Sequence, residues 1–263
     1  MKLSGASVLL TGATGGLGVA IARTLSEHGA SLVLSGRRAE VLQQLARELG
    51  GRHVVADLTV RGELERLLAE AGEVDILVAN AALPASGRLD AFSAQQIDRA
   101  LDVNLRAPIL LAHALLPGMA ARGRGHLLFV SSLAGKVATA GSSLYSASKY
   151  GLRGFASGLR ADMHGSGVGV SAVFPGFIRD AGMFADAGVK LPPGVGTRSP
   201  EDVARAVVEA IEHNRGEVDV APLPMRASAA FAGLAPELAS SVARRLGSEE
   251  IARRLAAGQR EKR

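Results

Sequence analysis

The 263-residue chain contains no cysteine and no tryptophan, and only two tyrosines and seven phenylalanines. Without thiols it can form no disulfide, thiolate metal site or cysteine nucleophile, and no metal site is expected; a reducing, cytoplasmic setting is the expectation. Aromatic residues make up 3% of the chain, too few for the stacking platforms of a single-stranded nucleic-acid binder. No uninterrupted apolar stretch approaches the roughly 20 residues that span a bilayer. Met1-Lys2-Leu3-Ser4 runs directly towards the first strand pattern, without the features of a signal peptide.

Charge is nearly balanced over most of the chain. From Arg244 to Arg263 there are seven basic and three acidic residues, which leaves 23 basic against 22 acidic elsewhere. The net charge of +5 is therefore mainly a C-terminal feature, and no nucleic-acid partner is expected.

The sequence is rich in small and aliphatic residues, with 32 glycines and 48% hydrophobic content. An interior of Val, Leu, Ile and Ala suits parallel strands packed between helices, and the length fits one α/β domain. Apolar runs at Ala6–Thr11, Ser31–Ser35, His53–Ala56, Asp75–Ala79, His126–Ser131, Val168–Phe174 and Glu217–Ala221 predict seven strands. Amphipathic stretches lie between them, such as Val41-Leu42-Leu45-Leu49, with apolar residues three and four apart. Alternating strand and helix predicts a doubly wound, mostly parallel seven-stranded sheet with helices on both faces.

One segment breaks this rhythm. Residues 181–198 include Gly182, Gly188, Pro192, Pro193, Gly194 and Gly196 and end at Ser199-Pro200, a helix start. Following the sixth strand, at the ligand side of such sheets, this segment is expected to be a substrate lid.

The first predicted strand enters Thr11-Gly12-Ala13-Thr14-Gly15-Gly16-Leu17-Gly18, ahead of a helical pattern. Glycine there lets backbone approach a pyrophosphate, which the helix N-terminus then holds, although the same glycines would serve a plain tight turn. The second strand ends Ser35-Gly36-Arg37-Arg38, where an NAD-binding fold usually carries an acid for the ribose 2′-hydroxyl. Two guanidiniums in its place favour a 2′-phosphate, hence NADP(H) over NAD.

Tyr145 and Lys149 are four residues apart in a helical pattern and so share one face. An ammonium roughly 4 Å from a phenolate contributes about 4 kcal/mol at an effective dielectric near 20, equivalent to about 3 pKa units. The pair makes sense as a tuned acid/base, although a single Tyr-x-x-x-Lys also arises on ordinary helix faces.

The pattern has company. Thr11-Gly12-x-x-x-Gly16-x-Gly18, Asn80-Ala81-Ala82, Asn104, Ser131-Ser132, Tyr145-x-x-x-Lys149 and Pro175-Gly176 follow one another along the chain. In order and spacing they resemble the short-chain dehydrogenase/reductase family, in its ordinary single-domain branch, from about Gly5 to Ala221.

That resemblance implies a Rossmann-like dinucleotide-binding and catalytic domain over residues 1–222, with residues 223–263 as its helical extension. It implies that Ser132 hydrogen-bonds the substrate oxygen and Tyr145 exchanges the proton. Lys149 would lower the tyrosine pKa and hold the nicotinamide ribose, and Asn104 would anchor a water-linked proton relay. The coenzyme would lie along Thr11, Gly12, Thr14, Gly16, Leu17 and Gly18, with Arg37 and Arg38 at its phosphate. Asp57 and Leu58 would meet the adenine, Asn80 and Ala81 would flank the coenzyme, and Ile178 would offer backbone to the carboxamide. Two departures stand out: Ala79-Asn80-Ala81-Ala82 replaces the usual Asn-Asn-Ala-Gly, and Arg179-Asp180 stand where the family often has a threonine against the nicotinamide.

Beyond the last strand, Leu234, Leu238, Val242 and Leu246 recur every four residues, and Ser248–Arg263 forms a short basic helical pattern with Ile251 and Leu255 on one side. Docking on the chain's own sheet or on a neighbouring subunit is the expectation, with peripheral membrane contact or a flap for a lipophilic substrate as the alternative. The family implies a homo-oligomer and a small carbonyl or alcohol substrate. A non-catalytic, dinucleotide-binding redox sensor is the competing function; it would need the glycine loop but not Ser132, Tyr145 and Lys149.

Overall fold

A computed structural model describes residues 1–189, 191, 195–235, 237–238, 241 and 248–259. Its centre is one seven-stranded sheet in the order β3-β2-β1-β4-β5-β6-β7. The strands are β1 Ser7–Thr11, β2 Ser31–Gly36, β3 Arg52–Val55, β4 Ile76–Ala79, β5 Gly125–Val130, β6 Val168–Pro175 and β7 Glu217–Val220. Every neighbouring pair is parallel, so the sheet is wholly rather than mostly parallel. Each central strand is covered on both faces, which is why β5 and β6 are buried along their entire length.

The chain winds outward from β1 to β3, then returns to place β4 on the other side of β1. That reversal opens a crevice beyond the carboxyl ends of β1 and β4, the place where folds of this kind take ligands. One layer, with α1 Gly16–Glu27, α2 Ala39–Leu49 and α8 Pro200–Glu212, buries Leu10, Ile21, Leu34, Val203 and Val207. The other, with α3 Arg61–Ala71, α4 Ala94–Leu101, α5 Ala107–Ala121 and α6 Ser143–Asp162, buries Leu9, Leu67, Leu111, Phe129 and Leu152. Ser199 caps α8 and Asp202 answers it from the third helical position, as Ser199-Pro200 suggested.

Helical structure is continuous over Ala94–Ala121 and is long and apolar enough, by length and composition, to cross a membrane. Its apolarity was not visible as one run, because polar residues of α4 and the intervening turn interrupt it. Ala107, Leu111, Ala112 and Met119 of α5 are built into the core.

The stretch expected as a lid carries a short helix, α7 Gly182–Asp186. Gly182 and Gly188, both with positive φ, bound it, so the glycines that spoke against regular structure delimit one turn of it. Lys190, Pro192, Pro193 and Gly194 lie outside the described residues, as do Val242, Leu246 and residues 260–263 of the tail. After β7 comes α9 Leu223–Leu234, from which Leu234 stands 88% exposed. A further helix covers Ser248–Gly258.

Candidate active site

Thr11, at the end of β1, is buried and ties two loops together. Its Oγ1 accepts from the backbone N–H groups of Asn80 and Ala81, each at 3.2 Å. Asn80 returns the contact, donating from Nδ2 to the carbonyls of Thr11 at 3.1 Å and Gly12 at 3.2 Å. Gly12 has φ +65°, and a Cβ there would lie 2.7 Å from Ala81 Cα, so only glycine permits this approach. A Cβ on Gly18 would run into the Gly12 carbonyl and one on Gly16 into Ala181.

Gly15 precedes α1, no side chain caps the helix, and its first turn holds no acid. The positive helix end is therefore left to an anionic group, beside a backbone cleared of side chains. These residues fit the diphosphate of a dinucleotide.

Arg37 and Arg38, at the end of β2, do different things. The Arg38 guanidinium donates to the Thr14 carbonyl of the glycine loop. Arg37, half-exposed, stands 4.0 Å from Asp57 Oδ2. Asp57 Oδ1 accepts from the Thr59 N–H at 3.0 Å and the Thr59 hydroxyl at 2.8 Å. Burial alone would raise the Asp57 pKa, but the Thr59 donors and Arg37 hold it below the usual carboxylate value. Leu58 packs against the core beneath. The expected adenosine-end residues thus converge.

At the opposite end, β5 delivers Ser131 and Ser132 to the first turns of α6, which carry Tyr145 and Lys149. Ser132 Oγ accepts from Ala134 N–H at 3.1 Å, donates to the Pro175 carbonyl at 3.4 Å, and lies close enough to Tyr145 to pull its pKa downward. Ser131 donates to the Lys149 carbonyl at 3.2 Å. Gly135 permits this seat: a Cβ there would lie 2.7 Å from the same carbonyl. Its place three residues after Ser132 was the only trace of that role in the sequence.

Lys149 is fully buried, donates from Nζ to the Val130 carbonyl at 3.1 Å, and stands 5.7 Å from the Tyr145 ring centre. Burial lowers its pKa to about 8. Burial also pushes the Tyr145 phenol up to about 12, against a smaller pull downward from Ser132. Within the chain alone the ammonium donates to Val130, and desolvation is the larger influence on the tyrosine.

Asn104 lies in a π turn, Asp102–Arg106, between α4 and α5. Its Oδ1 accepts from the Leu83 N–H at 2.6 Å and its Nδ2 donates to the Leu83 carbonyl at 2.9 Å. The amide is thus a clamp on the loop after β4. Ile178 is buried and held by a parallel bridge to Arg198, flanked by bonds from Arg179 N–H to the Arg198 carbonyl and from Arg198 N–H to the Phe177 carbonyl. Arg179 pairs with Asp180 at 3.2 Å.

Three apolar side chains near the reacting end carried no motif. Phe177 and Phe184 stack with ring centres 4.9 Å apart, folding α7 back onto the loop after β6. Met225 of α9 reaches Gly176, where a Cβ would lie 3.3 Å from its Cε.

Residues 6–190 match the family model described as short chain dehydrogenase. The chain is 37% identical over 235 residues to "Ketoacyl reductase HetN" of Nostoc sp., covering 86% of this chain and 82% of that protein. It is 36% identical over 216 residues to "NADP-dependent 3-hydroxy acid dehydrogenase YdfG" of Escherichia coli, covering 76% and 86%. A solved serine dehydrogenase complexed with NADP+ superposes with TM-score 0.74 at 31% identity, covering 82% of this chain and 95% of that one. With its wholly parallel sheet, dinucleotide-shaped loop and matched span, this chain belongs to the short-chain dehydrogenase/reductase family of oxidoreductases.

Proposed function

We propose that this oxidoreductase uses NADP(H) to interconvert a carbonyl and a secondary alcohol, with Tyr145 as its acid/base. The observation that carries this is the approach of Ser132 to Tyr145, close enough to pull the phenol pKa downward, beside a fully buried Lys149 at the carboxyl ends of β5 and β6. A serine and a phenol that lie this close together can both turn their hydroxyls to one substrate oxygen.

The bound coenzyme supplies or takes up the hydride. In reduction, the substrate oxygen accepts from the Ser132 and Tyr145 hydroxyls, which polarises the carbonyl. As the new C–H bond forms, the C=O π electrons pass to oxygen, and oxygen takes the Tyr145 proton. Lys149 provides positive charge near the phenolate left behind. In oxidation the phenolate removes the alcohol proton. Asn104 serves by holding the loop that carries Asn80 and Ala81, both of which meet Thr11 of the glycine loop.

Three features support NADP(H): Arg37 where an acid would bind the 2′-hydroxyl, Arg38 on the glycine loop, and the NADP named for two similar proteins. The test is a panel of ketones and secondary alcohols followed by nicotinamide absorbance with both coenzymes. Turnover that depends on Tyr145 and prefers NADP(H) is expected. Turnover equally fast in Tyr145→Phe would refute the assignment.

A further inference from the structure

We infer that Glu217, on the edge strand β7, is a positioning residue for the reaction: it ties the turn that carries Ser132 to the helix that carries Tyr145 and Lys149. This rests on the carbonyl–alcohol function proposed above and deepens it by naming what fixes the spacing of the two hydroxyls.

Ser132 and Tyr145 arrive on separate pieces of chain. Ser132 caps the start of a short 3-10 turn, Leu133–Gly135, and Lys136 closes its end. Tyr145, Lys149 and Arg153 follow at intervals of four on α6, hence along one side of it. Turn and helix meet at the Lys149 carbonyl, through Ser131 and the bare face of Gly135. A single point of contact leaves two bodies free to pivot, and a pivot there changes the distance from Ser132 to the phenol.

Glu217 supplies a second point. Its Oε2 lies 2.9 Å from Lys136 Nζ, and its two oxygens accept from Arg153 Nε at 2.7 Å and Nη2 at 3.1 Å. One carboxylate is thus shared by the residue four after Ser132 and the residue four after Lys149. Asp219, two residues along β7 and on the same face of it, accepts from Lys136 Nζ at 2.5 Å and so holds the turn alone. Exposed ion pairs contribute little. Here the Lys136 side chain is only 12% exposed and the Arg153 contact is bidentate, conditions under which such pairs hold a fixed geometry.

The same two cations close over Phe174, with Lys136 Nζ 4.1 Å and Arg153 Cζ 5.8 Å from its ring centre. The next residue, Pro175, offers the carbonyl to which Ser132 Oγ donates at 3.4 Å. The cluster therefore grips β6 immediately below the reacting serine as well as the two elements beside it.

The test uses the full chain with NADPH and a ketone that it reduces. Glu217→Ala should lower kcat about ten- to hundredfold, the cost of a small misplacement, with KM and NADPH affinity changed less than about twofold. Asp219→Asn, which spares the tie, should change kcat less than about twofold. Lys136→Met and Arg153→Met cut the tie at either end, so the double variant should lose no more than the worse single one. Equal losses in Glu217→Ala and Asp219→Asn, or losses that multiply in the double variant, would show a merely structural role and overturn the inference.

A second measurement needs no turnover. With Tyr150→Phe as background, Tyr145 is the sole tyrosine, and its 13Cζ resonance in ring-labelled protein reports the surroundings of the phenol. Glu217→Ala should move that resonance towards its position in Ser132→Ala, and Asp219→Asn should leave it in place. If Glu217→Ala does not fold, Arg153→Met is read in its stead. An unmoved resonance overturns the tie. Absence of turnover with either coenzyme in the unmodified protein overturns the proposed reaction instead, and the resonance still decides the role of Glu217.

Discussion

Lys149 Nζ donates to the Val130 carbonyl at 3.1 Å while Tyr145, one turn earlier on α6, feels Ser132 at its phenol. The two titrating groups thus address different partners across the end of β5. With the lysine brought down to about 8 and the phenol pushed up to about 12, both are neutral in between. A phenolate formed below pH 10 therefore calls for positive charge close to the phenol, from a protonated Lys149 together with that of an oxidised nicotinamide.

This is directly measurable, because the chain has two tyrosines and no tryptophan. Difference absorbance near 295 nm should show no Tyr145 ionisation below pH 10 in the free protein, with Tyr150→Phe removing the other signal. Adding NADP+ should move that ionisation down. A free-protein phenol titrating well below 10 would show that Lys149 alone tunes it.

Tyr145→Phe keeps the ring and removes the hydroxyl. The chemical step should slow by about 100- to 10,000-fold, the usual worth of a positioned proton donor. Coenzyme affinity and thermal unfolding should stay close to those of the unmodified protein. Steady-state kinetics together with NADPH fluorescence titration check both halves.

Arg37→Ala should weaken NADPH binding about ten- to hundredfold, since one charge-assisted contact is worth about 1.5–3 kcal/mol. NADH binding should change little. Gly36→Asp added to Arg37→Ala should turn the preference towards NADH. Equal losses for both coenzymes would place the effect in Asp57, which loses its 4.0 Å partner, rather than in a 2′-phosphate contact.

Acid stability should depend on His126. It is buried in β5 with its Nε2 2.9 Å from Ser171 Oγ, and burial lowers its pKa to about 3 from an ordinary 6.5. The folded protein thus holds His126 neutral while the unfolded chain protonates it. The resulting stability is fully present above pH 6.5 and is lost as pH falls towards 3, up to about 5 kcal/mol by linkage. Chemical unfolding from pH 3 to 7 should show this rise with pH, and it should flatten in His126→Gln.

Gly135→Ala tests the seat of α6. The new Cβ, 2.7 Å from the Lys149 carbonyl, must push α6 away from Ser132. A loss of at least tenfold in kcat and a lower Tm are expected, with NADPH affinity less affected. Unchanged kcat would mean that the Ser132–Tyr145 contact survives the shift.

Much of this was legible along the chain because it depends on local periodicity. Ala6–Thr11 against Ser7–Thr11, and Val168–Phe174 against Val168–Pro175, differ by one residue, since a strand buried on both faces declares itself as an apolar run. The glycine loop and the Ser132, Tyr145 and Lys149 positions carry motifs. The tyrosine's titration did not follow from spacing, because i,i+4 proximity fixes Cβ atoms and leaves a flexible lysine to find the Val130 carbonyl. Contacts such as Gln259 with Met183 or Met225 with Gly176 join distant parts of the chain and leave no periodic trace.

The clamp of Asn104 on Leu83 has a mechanical consequence. Through Leu83 the turn between α4 and α5 is bonded to the loop after β4; through Ala81, Asn80 and Thr11 that loop is bonded to Gly12. The outer helices and the glycine loop are therefore successive links of one short hydrogen-bonded train. If straining Leu83 through α5 loosens the hold of the glycine loop on a ligand, thermodynamic reciprocity requires that a ligand seated in that loop resist the same displacement of α5.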